Sequence, residues 1–574
     1  MAVSLLQQLN GERAVVLLYI IRILSPPLIT PPEACSLSLL SLLLCALRSP
    51  STMPPIPLPT ISGPVLGDRP GASSGILLGA VTLPGVMVSR LIQSLRAFSL
   101  QEVGIEEIEY LKLQFWAVSA ICFTVLVFLC IICRSQGKSL YSITSLSNLD
   151  AKFSLICLTL LVELGLVSLS WKIYAGWPVA LMTLWVLCHG FTAVQLIQRI
   201  IRTFPACASI GESLLVTTGL VVYFGDMLAY TAARIPSFLA SSKGLLVLYG
   251  IKRSEIGTII QGVIIGLLIL PIFYKYVIQL WESFASLSSS GDLGNYEMRR
   301  SLVFYASLTF MLAMVVPSWM QLVHSFQIHP LLWVFHFVFS EPFKSLTLCA
   351  YWLVVIYFSV RKFYNISKNS KTERILLRKY YHLMAVSIFV PALIFQPRFL
   401  DLAFGAALAV FLLLEIIRIW KIWPLGHLVH QFMNAFTDHR DSDLLIVSHF
   451  SLLLGCALPI WLSSGFSDRP LVPFAGILSL GIGDTMASMV GHKYGVLRWS
   501  KTGKKTIEGT AAGITSVLAA CFILLPLLAA TGYIFTLQWF SLIVAVTISG
   551  LLEAYTAQLD NAFIPLVFYS LLCL

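Results

Sequence analysis

Between Lys112 and Arg134 the chain carries no charged side chain, and Phe115–Cys133 is one continuous apolar run. Comparable runs lie near 153–171, 178–197, 214–233, 256–279, 302–320 and 345–360, then at 383–396, 399–417, 444–462, 471–489, 510–530 and 538–555. A helix needs about 20 apolar residues to cross a bilayer, whereas a barrel strand needs roughly half that number with apolar and polar residues alternating. These runs are too long and too uniformly apolar for strands. The charge content agrees: Lys, Arg, Asp and Glu make up 11% of 574 residues, against about 25% in soluble domains. So few polar groups could not cover a soluble protein of this size, which excludes a soluble enzyme and a disordered scaffold. With 57% apolar residues there is material for roughly 14–16 spans. The expected fold is an all-α polytopic membrane protein with its chemistry in loops at the membrane surface.

The chain divides into three regions. Residues 1–100 hold two short apolar stretches, Ala14–Ile21 and Cys35–Leu47, interrupted by Arg22, Pro26, Pro27, Pro31 and Pro32. Neither reaches a full span. They read as one or two short membrane segments, with an acidic-poor, Ser-rich plastid leader as the alternative. Ser51–Pro70 is rich in Pro, Gly and Ser and reads as a linker. Residues 101–360 form a multi-span region. Glu102, Glu106, Glu107 and Glu109 precede its first run as a solvated helical face, and Ser286–Gly294 reads as a loop. Glu163, His189 and Asp226 lie inside apolar runs, where polar groups are costly; a functional site and hydrogen bonding between helices both account for them. The 12 Cys are scattered, and Cys130 and Cys133 read as buried helix thiols rather than a metal or redox pair.

Residues 361–574 have a different character. Arg361–Lys379 contains seven basic residues and one acid, Glu373. The excess of Lys and Arg places this loop in the cytosol. Counting spans in pairs from there returns the chain to the same side at 419–443, 491–508 and 558–561. The polar loops of this half are therefore expected to converge on one composite site facing the cytosol. A net charge of +11 fits cytosolic Lys and Arg and an anionic substrate. Nucleic acid is not an expected partner, because the basic residues are spread among hydrophobic spans without a binding motif.

The most informative stretch is Gly481-Ile-Gly483-Asp484-Thr-Met-Ala-Ser488, followed by Gly491-His-Lys-Tyr-Gly495 and Lys501-Thr-Gly503-Lys504-Lys505-Thr506-Ile-Glu508-Gly509. Here an apolar run ends in a carboxylate, and Asp484 and Ser488 share a helical face. Glycines let a backbone come close, and Lys side chains with backbone N–H groups suit phosphate oxygens. A carboxylate beside them suits Mg²⁺, which takes one or two carboxylates together with substrate phosphates. The block reads as a nucleotide-phosphate site; the alternative is a cytosolic basic loop between closely packed small-residue helices. It is not a Walker A loop, since that pattern needs Gly where Arg498 stands. Further polar clusters lie on the same expected face: Arg378-Lys379-Tyr380-Tyr381-His382, Glu415 with Arg418, Asp438-His439-Arg440-Asp441-Ser-Asp443, and Glu553 with Gln558-Leu-Asp560-Asn561. Each alone also reads as a capped helix end or an ion pair.

The run GDTMASMVGHKYG…GKKTIEGT resembles the CTP-binding signature of the polyprenol kinase family, most closely that of the dolichol kinases. RKYYH at 378–382, LLLEIIR at 412–418, DHRD at 438–441 and LLEAYTAQLDN at 551–561 are similar to further blocks of that family. Ser209-Ile-Gly211-Glu212 resembles a short element that precedes a span there. The likeness covers residues 320–574 well and is looser before them. Phosphatidate cytidylyltransferases share a broader pattern of Asp, small residues, a Gly loop and Lys-Thr.

The resemblance implies an enzyme of the endoplasmic reticulum membrane that phosphorylates dolichol with CTP. Its product, dolichyl phosphate, is the lipid carrier for N-glycosylation. On this reading Lys504, Lys505 and Thr506 bind the CTP phosphates, and Gly481, Gly483, Gly491 and Gly495 let the backbone close around them, with Ser488 alongside. Asp484 binds a divalent cation, expected to be Mg²⁺, with Glu508 or Asp560 as second carboxylate. Asp441 and His382 are candidates for the base that takes the acceptor's proton. The alternatives are phosphorylation of phytol, farnesol or diacylglycerol, cytidylyl transfer to a lipid phosphate, and transport.

Overall fold

The computed structural model describes residues 11–46, 75–100, 104–137, 162–167, 177–204, 208–234, 253–285, 293–369, 374–434, 446–463, 469–499, 505–530 and 539–574. The expected linker Ser51–Pro70, the Asp438–Asp443 cluster and Lys501–Lys504 lie outside them.

The apolar runs are helical, as hydrocarbon requires: no water is there to bond a peptide group, so each N–H and C=O must be satisfied within the segment. The first half contains α1 (Gly11–Leu24), α2 (Pro31–Ala46), α3 (Ile76–Ser99), α4 (Ile105–Gly137), α5 (Trp177–Thr203), α6 (Ile210–Arg234), α7 (Glu255–Ala285), α8 (Leu293–Phe310), α9 (Val316–Val323), α10 (Pro330–Ser340) and α11 (Pro342–Asn369). The second contains α12 (Arg374–Phe395), α13 (Pro397–Trp420), α14 (Gly426–Asn434), α15 (Val447–Ser463), α16 (Thr485–Tyr494), α17 (Ile507–Ala530), α18 (Trp539–Tyr555) and α19 (Asp560–Leu572). Among the described residues, nine helices are long and apolar enough to cross a membrane, and five more apolar helices run 10–17 residues. The chain is an all-α polytopic membrane protein.

Three segments depart from the expected spans. Helix α3 falls in the N-terminal region read as short hydrophobic segments and a linker; Pro84, Arg90 and Arg96 interrupt its apolar pattern. It tolerates them because its most apolar window is 83% buried, against α4 and α6 on one hand and α1, α2 and α19 on the other. The run 471–489 is not one helix. It passes through a 3₁₀ turn (Val472–Phe474) and a π-helical segment (Ile477–Asp484) before α16 begins. Irregular backbone at membrane depth is tolerated where protein covers it, and the π segment is buried except at Ile482, which is half-buried. Finally, the apolar stretch after Asn561 forms α19.

Helix α19 occupies the middle of the larger core. It packs against α3, α15, α18 and α1, and Phe563–Leu571 are all buried. Ser570 donates to the Tyr19 hydroxyl at 2.9 Å, tying α19 to α1. A second core gathers α7, α8, α9 and α13. The polar residues noted inside apolar runs of the first half make bonds within and between helices. Asp226 pairs with Arg253 and accepts from Tyr110 and, at 3.0 Å, from Gln261. Glu163 accepts from Ser36 at 2.6 Å, and His189 Nδ1 lies 2.9 Å from the Trp185 carbonyl within its own helix.

Candidate active site

The π segment is packed between α12 and α17. Gly481 lies against Val386 of α12, and Gly483 against Val517 of α17. Single π turns inside α-helices recur at functional sites. This one ends in Asp484, which is 4% exposed. Its carboxylate forms an ion pair with Lys379 and lies 3.4 Å from His382 Nδ1. Ser488, one turn on, donates to its other oxygen at 3.4 Å. Lys379 and His382 stand three apart near the start of α12, on one helical face. His382 Nδ1 is also 3.3 Å from the Leu480 carbonyl, so a proton on that nitrogen faces two acceptors.

Thr506 precedes α17, and its hydroxyl accepts the Gly509 N–H at 3.2 Å as an N-cap. Residues 495–499 and 505–507 pair antiparallel. Arg498 and Thr506 form a β-bridge, and Ile507 N–H donates to Leu497 O at 2.8 Å. Glu508, half-buried, accepts the Leu497 N–H at 3.0 and 3.2 Å. Its carboxylate thus fastens this loop and makes its contacts there rather than with Asp484. Helices α16 and α17 meet at Gly491 and Gly509. A Cβ on Gly509 would stand 2.6 Å from the Ala487 carbonyl oxygen and 3.0 Å from Gly491 Cα, so no larger residue fits this crossing. Gly495 lies beside the Thr506 side chain. The glycines of the signature therefore bring helices together here.

Lys505 reaches the other way. Its ammonium donates to the Glu553 carbonyl, pairs with Asp560 at 3.2 Å and lies 3.5 Å from the Thr556 carbonyl. Burial works against its charge, but Asp560, Glu553 and Asp484 outweigh that and hold the ammonium above the ordinary lysine range. That Asp484 acts on Lys505 puts both ion pairs in one electrostatic neighbourhood. Asp560 uses Oδ2 for Lys505, while its Oδ1 is buried with no hydrogen-bond partner. A buried carboxylate oxygen without a donor is costly, and a divalent cation is a group that satisfies it. No cluster of three or more His, Cys, Asp or Glu occurs among the described residues. Mg²⁺ needs only one or two carboxylates when phosphates complete its shell, so Asp560 Oδ1 fits it, while the Asp484 oxygens are held by Lys379 and Ser488 and can join only when those exchange.

The turn before Asp560 is held from the first half of the chain. Ser209 and Glu212 form a capping box at the start of α6: Glu212 N–H donates to the Ser209 hydroxyl at 3.1 Å, and Ser209 N–H to Glu212 Oε2 at 2.7 Å. The same two side chains reach outward. Ser209 donates to the Gln558 side-chain oxygen, and Glu212 Oε1 accepts the Leu559 N–H at 2.7 Å.

Of the sequence-predicted residues, His382, Asp484 and Ser488 are brought together, and Lys505 joins Asp560. Gly481, Gly483, Gly491, Gly495 and Thr506 frame them, and Glu508, in the first turn of α17, holds the neighbouring loop. Asp441 and Lys504 lie outside the described residues. Lys379 and Glu553 belong to clusters noted in the sequence but were not singled out. The i, i+3 spacing of Lys379 and His382 was the available signal. The Glu415–Arg418 pair is formed, at 2.7 and 2.8 Å, and both residues are buried. Glu415 also accepts the Ile446 N–H at 3.0 Å, which fixes the start of α15.

A family model described as dolichol kinase matches residues 191–458, a stretch that includes Ser209, Glu212, Lys379 and His382 and ends before Asp484. No solved structure matches the chain. The chain is 58% identical over 566 residues to dolichol kinase EVAN of Arabidopsis thaliana, covering 98% of each protein. It is 32% identical over 396 residues to the dolichol kinase of Homo sapiens, covering 66% of this chain and 67% of that one. With that of Saccharomyces cerevisiae it shares 32% identity over 240 residues, 41% of this chain and 43% of that one. Identity at the level of the plant protein, sustained across both halves, makes this chain a member of the dolichol kinase family, kinases that act on an alcohol acceptor.

Proposed function

We propose that the chain transfers the γ-phosphoryl group of CTP to dolichol on the cytosolic face of the endoplasmic reticulum membrane, and so supplies dolichyl phosphate for protein glycosylation. One observation carries this reading: four polar blocks far apart in sequence pair into two charged clusters beside apolar helices, near enough that Asp484 favours the charge on Lys505. The blocks are Lys379 with His382, Asp484 with Ser488, Lys505, and Glu553 to Asp560. A long isoprenoid alcohol keeps its tail in lipid while its hydroxyl reaches such a site.

In the reaction, a bond forms between the dolichol oxygen and the γ-phosphorus. The bond from that phosphorus to the β–γ bridging oxygen breaks, and CDP leaves. The hydroxyl proton passes to a base, for which His382 is the described candidate. Phosphoryl transfer asks mainly for positioning and charge neutralisation. Lys505 and Lys379 supply positive charge for the donor phosphates once exchanged from their carboxylate partners. Asp560 Oδ1 and Asp484 would hold a divalent cation, which when bound neutralises phosphate charge. The exposed Lys493 and Arg498 add positive charge at the rim.

The test is a microsomal preparation supplied with γ-labelled CTP, Mg²⁺ and dolichol, with ATP as rival donor and phytol and diacylglycerol as rival acceptors. Label in dolichyl phosphate, with CTP preferred, is the expected result. Preference for ATP overturns the donor assignment, and label in phytyl phosphate overturns the acceptor and the compartment. Release of pyrophosphate in place of CDP would make the chain a cytidylyltransferase.

A further inference from the structure

The second half of the chain holds Asp484, Lys505 and Asp560, yet the turn that presents Asp560 is fastened by the first half. Gln558 is fully buried and Leu559 nearly so. The Leu559 N–H, one residue before Asp560, ends on Glu212 of α6, 347 residues away in sequence. Gln558 N–H is satisfied by the Thr556 hydroxyl at 3.2 Å and its side chain by Ser209. Two first-half segments close on the Gln558 side chain here. Gly75, at φ 58° in the left-handed region, lies against the Gln558 side chain, and Gly211 lies against the Gly75 carbonyl. A carboxylate that caps its own helix with one oxygen has no local need to bond a second segment with the other. Glu212 does both while 1% exposed.

We infer that Glu212 is a positioning residue for phosphoryl transfer: through the Leu559 N–H it sets the turn that aims Asp560 at Lys505, so the first half is part of the active site's architecture. Ser209 is its accessory, acting on Gln558. Neither touches the reacting groups; they act by fixing where the Asp560 carboxylate and the Lys505 ammonium stand. Displacement of about 1 Å at such groups is enough to cost on the order of 100-fold in rate.

The inference rests on the reading of Asp560 and Lys505 as part of the kinase site, so the experiment tests both. Full-length parent, Glu212→Gln, Glu212→Ala and Asp560→Asn proteins are purified in detergent. For each, kcat and KM are measured for nucleotide and for dolichol, with the thermal midpoint and amide hydrogen exchange over 556–561. Gln at 212 is isosteric and keeps one acceptor oxygen, so it can bond Ser209 or Leu559 but not both. The expected result is a fall in kcat/KM for nucleotide of roughly 10- to 100-fold in Glu212→Gln. Exchange at Leu559 should be faster and the KM for dolichol should stay at the parent's value, while the thermal midpoint falls but leaves the protein folded at the assay temperature. Glu212→Ala should show the same signature more strongly. Parental kcat/KM in Glu212→Gln beside an inactive Asp560→Asn overturns the inference and leaves the site reading standing. Parental turnover in Asp560→Asn overturns the site reading, and the inference falls with it. A loss in Glu212→Gln that follows only the folded fraction, or that raises both KM values together, makes Glu212 a structural residue and also overturns it.

Discussion

Lys379 and Asp484, 105 residues apart, meet as an ion pair whose side chains are 13% and 6% exposed. The pair joins the first turns of α12 to the end of the π segment. At that depth neither charge has much water to fall back on, so the two residues stand or fall together.

Removing one member of a buried pair is expected to be worse than removing both. Lys379→Ala should destabilise the protein by about 3–5 kcal/mol, read as a lower thermal midpoint in detergent. The Lys379→Ala, Asp484→Asn double variant should recover part of that loss, which a double-mutant cycle measures. Strict additivity would mean that the pair contributes no coupling.

Asp484→Asn on its own keeps the shape of the site and removes its charge. Turnover should drop by roughly 100- to 1000-fold, the scale seen when one electrostatic contact to a transition state is lost. The variant should still elute as a folded, membrane-extracted protein. Near-parental turnover would show that the reaction does not use Asp484.

Chelation of divalent cations should stop transfer, and added Mg²⁺ should restore it. Any turnover that persists in Asp560→Asn should need a higher Mg²⁺ concentration for half-maximal rate, because Oδ1 is the carboxylate oxygen left without a donor. An unchanged Mg²⁺ dependence in that variant would assign the cation elsewhere.

Gly509→Val should separate α16 from α17, since the new side chain meets the Ala487 carbonyl and Gly491 Cα. Overpacking of this kind costs about 1–3 kcal/mol. The expected outcome is a lower thermal midpoint together with weakened nucleotide binding, as Asp484 and Thr506 lie at the ends of the same crossing.

Orientation is open to direct chemistry. Val496 is 81% exposed on the loop after α16. A Val496→Cys protein in sealed, cytosol-side-out microsomes should react with a membrane-impermeant maleimide without detergent. Labelling only after permeabilisation would place this loop in the lumen.

Most of the helices were legible because apolar length is a strong signal in a chain that lipid surrounds. Helix α3 was not, because a helix shielded by neighbours need not be apolar, and its Arg90, Arg96 and Pro84 resemble those of a loop. The break at 471–484 was hidden for the opposite reason: apart from Ser479 its residues are apolar or small up to Asp484, and periodicity does not distinguish a π segment from an α-helix. In the site, the carboxylates and Lys505 stood out as residue types. Lys379 was overlooked because a basic residue in a cytosolic loop is already explained by topology. The Ser209–Glu212 capping box could be read from its spacing, but its attachment to Leu559 could not, because no local pattern encodes a contact 347 residues away.

The central position of α19 has a consequence for how the protein is made. Ribosomes deliver this helix after all the helices it packs between, so α1, α3 and α15 enter the bilayer before their common neighbour exists. Until residues 560–572 arrive, those earlier helices present the surface that will receive Phe563, Phe568 and Tyr569. The nascent protein is therefore a bundle waiting for its centre, and Asp560 arrives at the leading end of that helix. The Lys505–Asp560 ion pair therefore forms only when this helix takes its place.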